Sequence, residues 1–339
     1  MRVFWFMITI ERLKKDQKYR ENIASRAKIM QAIRDFFVSQ GFTEMFTPSL
    51  SEYPGMEPYL DPFETKIIND KGLIVPAGLI TSPEYYLKKI LSAGFDKIFE
   101  IAKVYRNREP FEGTHNAEFF MLEWYRRDAD YNDIMDDVDE LLAEVSGNKF
   151  GKAERIRVRD IFLELAGIDL DAVSDASALI EQGRSKGFEL KDKESFDDAF
   201  FKIFLTVIEP SLKKQKNPII LYEYPLELAS LSKAAENPRY AERFELYING
   251  IEVANAFSEL TNAAEQRRRF VEEAVLRQAQ GKSVYPIDEE FLAALPAIGR
   301  AGGIALGVDR LVMLLLQAER LEDVMLWPTS ELFDTTQLT

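Results

Sequence analysis

The chain has 339 residues, with 46% apolar and 29% charged positions, enough to bury a large core as one big domain or two ordinary ones. A net charge of −14 makes it a poor general nucleic-acid binder, because phosphate contacts need clustered Lys and Arg. The absence of cysteine excludes disulfides, thiolate metal sites and a Cys nucleophile, and a single histidine, His115, excludes multi-His zinc and leaves any Ser-His-Asp hydrolase dependent on it.

The apolar start from Met1 to Ile8 is too short for a signal core and is followed by charge rather than a cleavage site, so it reads as a first strand or an apolar arm. No apolar run reaches the roughly 18 residues that span a bilayer, and the composition fits a reducing cytosol. Residues 24–40 predict a helix, with Ile29, Ile33, Phe36 and Phe37 on one face and Gly41 as its stop. Residues 46–48 read as a strand entering a turn. Residues 82–91 read as a helix with Pro83 in a tolerated first-turn position. Residues 99–105 and 117–125 predict two strands joined by a polar loop with Pro110 and Gly113. An acidic amphipathic helix follows over 131–145, then a mostly helical stretch, 146–217, that reads as an insertion. Strands are expected at 218–224 and 243–253, a charged helix at 265–280, a buried strand at 303–308 and a helix at 309–316. Hairpins followed by helices predict an α+β fold, an antiparallel sheet flanked by helices. Neither a P-loop nor a dinucleotide fingerprint is present, so any use of ATP needs another device.

Three segments carry candidate chemistry. The hairpin at 99–125 presents Arg106, Asn107, Arg108, Glu109, His115, Asn116, Phe119, Glu123 and Tyr125. Arginine is a bidentate partner for phosphate, and an exposed Phe offers a face to a purine; a salt-laced surface hairpin fits equally well. At 250–260, Glu252 and Glu259 flank an apolar strand, as two carboxylates holding Mg²⁺ on a polyphosphate would. On spacing alone, two solvated glutamates at strand ends are the simpler account. At 302–311, small residues alternate with aliphatics, the pattern of a strand approached closely by a ligand or another backbone. Arg310 then opens a helix, where a cation is disfavoured and needs an anionic partner.

Taken together and in this order, these segments resemble the class II aminoacyl-tRNA synthetases. Residues 24–48 resemble motif 1, residues 99–125 motif 2 and residues 302–316 motif 3 of one catalytic domain spanning 1–339. Thr81-Ser-Pro-Glu-Tyr85, His115-Asn-Ala-Glu-Phe119, Phe257-Ser-Glu-Leu260 and Gly307-Val-Asp-Arg310 are similar to the lysyl branch. With motif 1 beginning near residue 24, an N-terminal OB-fold anticodon domain is not expected, and a bare lysyl-type catalytic domain resembles the elongation factor P lysine ligases.

That resemblance implies activation of a lysine, β-lysine above all, as an adenylate with ATP and Mg²⁺, then transfer to a lysine side chain of elongation factor P by a cytoplasmic homodimer, with tRNA a poor acceptor. It implies that Arg106, Glu259 and Arg310 are catalytic. Arg106, Asn107, Arg108, Glu109, Asn116, Phe119, Glu252, Val253, Gly307 and Arg310 would bind ATP. Glu252 and Glu259 would hold the metal. Ser82, Pro83, Glu84, Glu123, Tyr125, Glu259 and Ala305 would line the amino-acid pocket, with Glu84 or Glu123 pairing the substrate ammonium. The sequence departs from the family pattern at Arg108, where Glu is usual, in a motif 2 loop one residue longer, and at Thr114, Ala117, Phe120 and Ala256. A truncated ligase acting on tRNA or another acceptor is the alternative enzyme; an inert synthetase-derived module is disfavoured by the intact charged set.

Overall fold

In the computed structural model, residues 8–111, 113–229 and 231–333 are described. The reading of Met1 to Met7 as a strand or arm lies outside them. The chain divides into two units: one comprises Met1–Arg127, Thr261–Gly299 and Ala305–Thr339, the other Asp128–Leu260 and Arg300–Ile304.

In the first unit the expected first helix begins earlier than its apolar stripe suggested and runs Gln17–Ser39. Asp16 caps it, its carboxylate accepting the Tyr19 N–H at 2.9 Å. Gly41, at φ +80°, ends the run as expected. Phe37 is fully buried and stacks on Phe99 at 4.9 Å, with Trp124 at 5.0 Å. This fastens the helix to the hairpin formed by Lys97–Tyr105 and Glu118–Arg127, whose antiparallel register runs from Lys97↔Arg126 to Tyr105↔Glu118. The strand expected at 46–48 is displaced. A short strand, Thr43–Glu44, pairs in parallel with Ile98 and Phe99, and after the Met45 N–H donates to the Phe99 carbonyl the chain leaves the sheet, with Phe46 84% exposed. A second sheet of Leu50–Ser51, Ile74–Leu79 and Glu64–Ile68 was not anticipated. Every residue of Glu64–Ile68 is exposed, so no apolar alternation marks it. Helices Glu84–Ser92, Ala263–Ala279 and Val308–Leu315 match expectation, and Glu289–Ile298 adds one that was missed.

In the second unit, strands Ile251–Ser258, Tyr240–Ile248, Ile219–Pro225 and Glu154–Arg157 lie side by side in that order, antiparallel except for the last pair. The single strand expected at 243–253 is a hairpin instead. Asn249 and Gly250 both have positive φ, 52° and 74°, so this Asn-Gly pair reverses the chain as a two-residue turn. Helix Tyr131–Ser146 opens with a reciprocal Asp130/Asp133 capping box. Residues 146–217 are mostly helical, as expected. Their aromatic core, Phe162, Phe200 and Phe204, packs with Leu221, Tyr224 and Tyr247 of the strands, so the stretch shares the unit's hydrophobic core. Strand Ala301–Gly307 is divided, its residues up to Ile304 belonging to the second unit and those from Ala305 to the first.

Candidate active site

The motif 2 hairpin positions the first group of side chains. Glu123 lies in the middle of strand Glu118–Arg127 and is fully buried. Ser82, just ahead of helix Glu84–Ser92, donates its hydroxyl to Glu123 Oε1 at 2.6 Å, and Tyr125 donates its phenol to Oε2 at 2.8 Å. The Ser82 hydroxyl also accepts the Glu84 N–H at 3.1 Å, so Ser82 caps the helix turn and orients the carboxylate together. Pro83, buried beside it, fixes the turn that starts the helix. Burial pushes the Glu123 carboxyl up to about 8, Glu84 adds to the rise, and the two hydroxyls and Lys88 oppose it. Glu84 is already ion-paired with the buried Lys88 one turn along the helix. Glu84 thus has a fixed cationic partner, whereas Glu123 is held by two hydroxyls.

Arg106 follows the last hairpin residue, its N–H bonded to the Ala117 carbonyl at 3.0 Å, and its guanidinium lies 5.3 Å from the centre of the Phe119 ring. Asn107 and Arg108 are exposed, with Arg108 at φ +60° and its N–H held by the Asn107 side chain at 2.9 Å. Glu109 is half-buried with a carboxylate oxygen 3.9 Å from the His115 ring. Arg108 thus takes a left-handed turn, and Glu109 turns back toward His115. Burial, then Arg310, depresses the His115 pKa, so the imidazole is neutral at pH 7. Asn116 has its side chain engaged on both ends: it donates to the Glu118 carbonyl at 2.6 Å and accepts the Thr329 N–H at 2.8 Å. In this arrangement its amide braces the loop against the C-terminal segment.

Arg310 donates to the Thr114 carbonyl at 3.1 Å. Its neighbour Asp309 is buried; it pairs with Arg26 and accepts the Phe120 N–H at 2.6 Å. One carboxylate thereby ties helices Gln17–Ser39 and Val308–Leu315 to the strand that carries Phe119. Ala305 packs against the cluster of Ile80, Ala102, Val104 and Met121, as Phe119 does, and stays partly open. Gly307 caps the helix that begins with Val308.

In the second unit Glu252 is exposed and Glu259 buried, with Val253 buried between them. Residues an odd number apart on a regular strand face opposite ways. The register shift between Glu252 and Ala254 inserts one residue and corrects that parity, so Glu252 shares a face with Asn255 and Glu259. Asn255 is held by Arg243 at 3.0 Å. No group of three or more His, Cys, Asp or Glu forms a protein-only metal cage among the described residues. Two carboxylates are the donor set of a magnesium ion that completes its shell with phosphate and water.

The sequence matches the family described as tRNA synthetases class II (D, K and N) over residues 9–331. The chain belongs to that family. The chain is also similar to curated bacterial proteins named elongation factor P–(R)-β-lysine ligase. That of Haemophilus influenzae is 40% identical over 308 residues, covering 90% of this chain and 94% of the relative. Those of Haemophilus ducreyi and Pectobacterium atrosepticum are 38% and 40% identical, with 93% and 94% of the relative covered. No helix among the described residues is long and apolar enough to cross a membrane.

Proposed function

We propose that this class II protein activates β-lysine with ATP as an enzyme-bound adenylate and transfers the acyl group to a lysine side chain of elongation factor P. The observation that carries the reading is the buried Glu123 carboxylate held by Ser82 and Tyr125 beside an already neutralised Glu84, a pocket floor suited to an ammonium. Arg106 over Phe119 provides the phosphate and adenine side, and Glu252 with Glu259 would hold the magnesium that neutralises the polyphosphate. The ligase names of relatives matching nearly end to end support the amino acid and the acceptor. Exposed Val38, Phe46 and Leu50 in the motif 1 region suit a homodimer face.

The test sets labelling of purified elongation factor P against charging of total tRNA by the same enzyme. Protein labelling is expected, with tRNA charging weaker by orders of magnitude, since a net charge of −14 leaves few phosphate contacts. Efficient tRNA charging without protein labelling overturns the acceptor assignment.

Ala305 is expected to set the choice between isomers. Its methyl packs against the cluster of Ile80, Ala102, Val104 and Met121 and stays partly open, where it would crowd an amino group on the α-carbon more than one on the β-carbon. One methyl is worth about 1–3 kcal/mol of discrimination, roughly ten- to two-hundred-fold. Ala305→Gly should raise kcat/KM for α-lysine relative to β-lysine by that factor, with little change in KM for ATP. An unchanged ratio assigns Ala305 to strand packing alone.

A further inference from the structure

The two carboxylates beside Ser82 in the first unit both have partners. Glu84 pairs with Lys88, and Glu123 receives Ser82 and Tyr125. Glu57 has a buried Oε2 that accepts no hydrogen bond among the described residues. A buried carboxylate oxygen without a donor costs free energy that folding alone does not explain.

The loop that carries it is built rigidly. The Arg277 guanidinium donates to the Glu57 and Leu60 carbonyls at 2.9 and 2.8 Å, and Lys282 donates to the Pro58 carbonyl at 2.7 Å. The Asn107 N–H, one residue past Arg106, donates to the Asp61 carbonyl at 2.7 Å. On the other side the Thr81 N–H and hydroxyl both donate to the Pro54 carbonyl, at 3.2 and 3.1 Å. A Cβ on Gly55 would come within 2.9 Å of Glu57 Oε2 and 2.7 Å of Thr81 Oγ1, so the carboxylate and the residue preceding Ser82 border one small volume. The loop thus bridges the backbone beside Ser82 and the backbone beside Arg106. An acyl-adenylate has its amino group on the Ser82–Glu123 side and its phosphate on the Arg106 side, so its reactive carbonyl belongs at that bridge.

We propose that Glu57 is the catalytic carboxylate of the transfer step, docking the acceptor's primary ammonium and taking its proton. The proposal rests on the adenylate reading given above. The ammonium N–H bond breaks and its proton goes to Glu57. The freed amine forms a C–N bond to the acyl carbon, and the acyl C–O bond to phosphate breaks, with AMP leaving on that electron pair. The second nitrogen proton then passes to solvent, giving a neutral amide. The charged groups around Glu57 suit this task. Burial raises its carboxyl, its own N–H works against the rise, Glu84 adds to it, and Arg106 and Arg277 pull it down, for a net upward shift. Tyr85 and Glu273 also face it, and neither Tyr85 Oη nor Glu273 Oε2 has a hydrogen-bond partner among the described residues. A carboxylate raised in this way is, once ionised, a better base than a solvated glutamate.

The experiment measures, at single turnover, adenylate formation and then amide formation with elongation factor P or with butylamine as acceptor, across pH 5–9. In the unmodified enzyme amide formation should rise with pH and then level. In Glu57→Gln the ratio of transfer rate to adenylate-forming rate should fall about a hundredfold, and the Glu57 limb of the pH profile should vanish. Glu57→Asp should restore that limb at a lower rate. Equal losses in both steps, or a Gln variant with the unmodified ratio and profile, overturn the proposal. An Asp profile that coincides with the Gln profile does the same. Transfer to butylamine but not to elongation factor P in the unmodified enzyme overturns the acceptor assignment and leaves the Glu57 comparison intact.

Discussion

Arg106→Ala should abolish magnesium-dependent ATP–pyrophosphate exchange while the fold is kept. Adenylate formation spreads negative charge over the α-phosphate as the amino-acid carboxylate attacks and pyrophosphate leaves. A cation fixed in advance near that charge stabilises the transition state without reorganisation, and losing such a partner costs about 3–4 kcal/mol, a hundred- to a thousand-fold. Arg106 is fixed in this sense. Its backbone is tied to Ala117 across the hairpin, its guanidinium lies over Phe119, and Asn107 is tied to Asp61. None of these backbone bonds involves the Arg106 side chain, so truncation leaves the hairpin register in place. The measurement is exchange rate with circular dichroism as the folding control. Near-normal exchange in a folded variant would remove the hairpin from the ATP site.

The sequence made the hairpin, its loop and the motif 3 strand legible because residue type there is dictated by chemistry and by period. Short apolar runs over Lys97–Tyr105 and Glu118–Arg127, bounded by a polar loop with Pro110 and Gly113, and the small residues of Ala301–Gly307 leave few other structures. The extra motif 2 residue was visible, but which of Arg108 and Glu109 turned outward depended on a backbone angle, φ +60° at Arg108, that composition does not specify. The Tyr240–Ile248/Ile251–Ser258 hairpin carried a readable signal, Asn249-Gly250, and was merged into one strand because apolar residues continue on both sides of it. Glu57 and Asp309 were less accessible. Each matters through burial and through partners far away in the chain, Asp309 through Arg26 and Phe120, and nothing in the local pattern of either reports those contacts. Asn116 also braces the loop through its amide bonds to Glu118 and Thr329, contacts that the local sequence does not announce.

Glu123→Gln should lower kcat/KM for the amino acid by about a hundredfold and make the folded protein less sensitive to alkaline pH. Substrate recognition comes first. An ammonium entering a dry pocket needs a carboxylate, and leaving such a buried charge without its partner costs about 3–5 kcal/mol. The carboxyl at position 123 is pushed up to about 8 by burial and by Glu84, so at pH 7 it is mostly protonated before substrate arrives. Binding an ammonium favours the ionised form, so substrate binding at pH 7 should release close to one proton. Titration calorimetry in buffers of different ionisation enthalpy reads that proton directly. Stability follows from the same shift. A carboxyl whose folded pKa is about 8 against an ordinary 4.5 favours folding when protonated, so its contribution is full below about 4.5 and is lost as pH rises toward 8. The Gln variant has no such titration, so its melting temperature should fall less than that of the unmodified protein between pH 5 and pH 9, even as binding is lost. The Ser82 and Tyr125 hydroxyls still find an acceptor in the amide oxygen, which keeps the pocket intact for the comparison. Unchanged amino-acid kinetics together with no proton release on binding would mean that the substrate ammonium is held elsewhere.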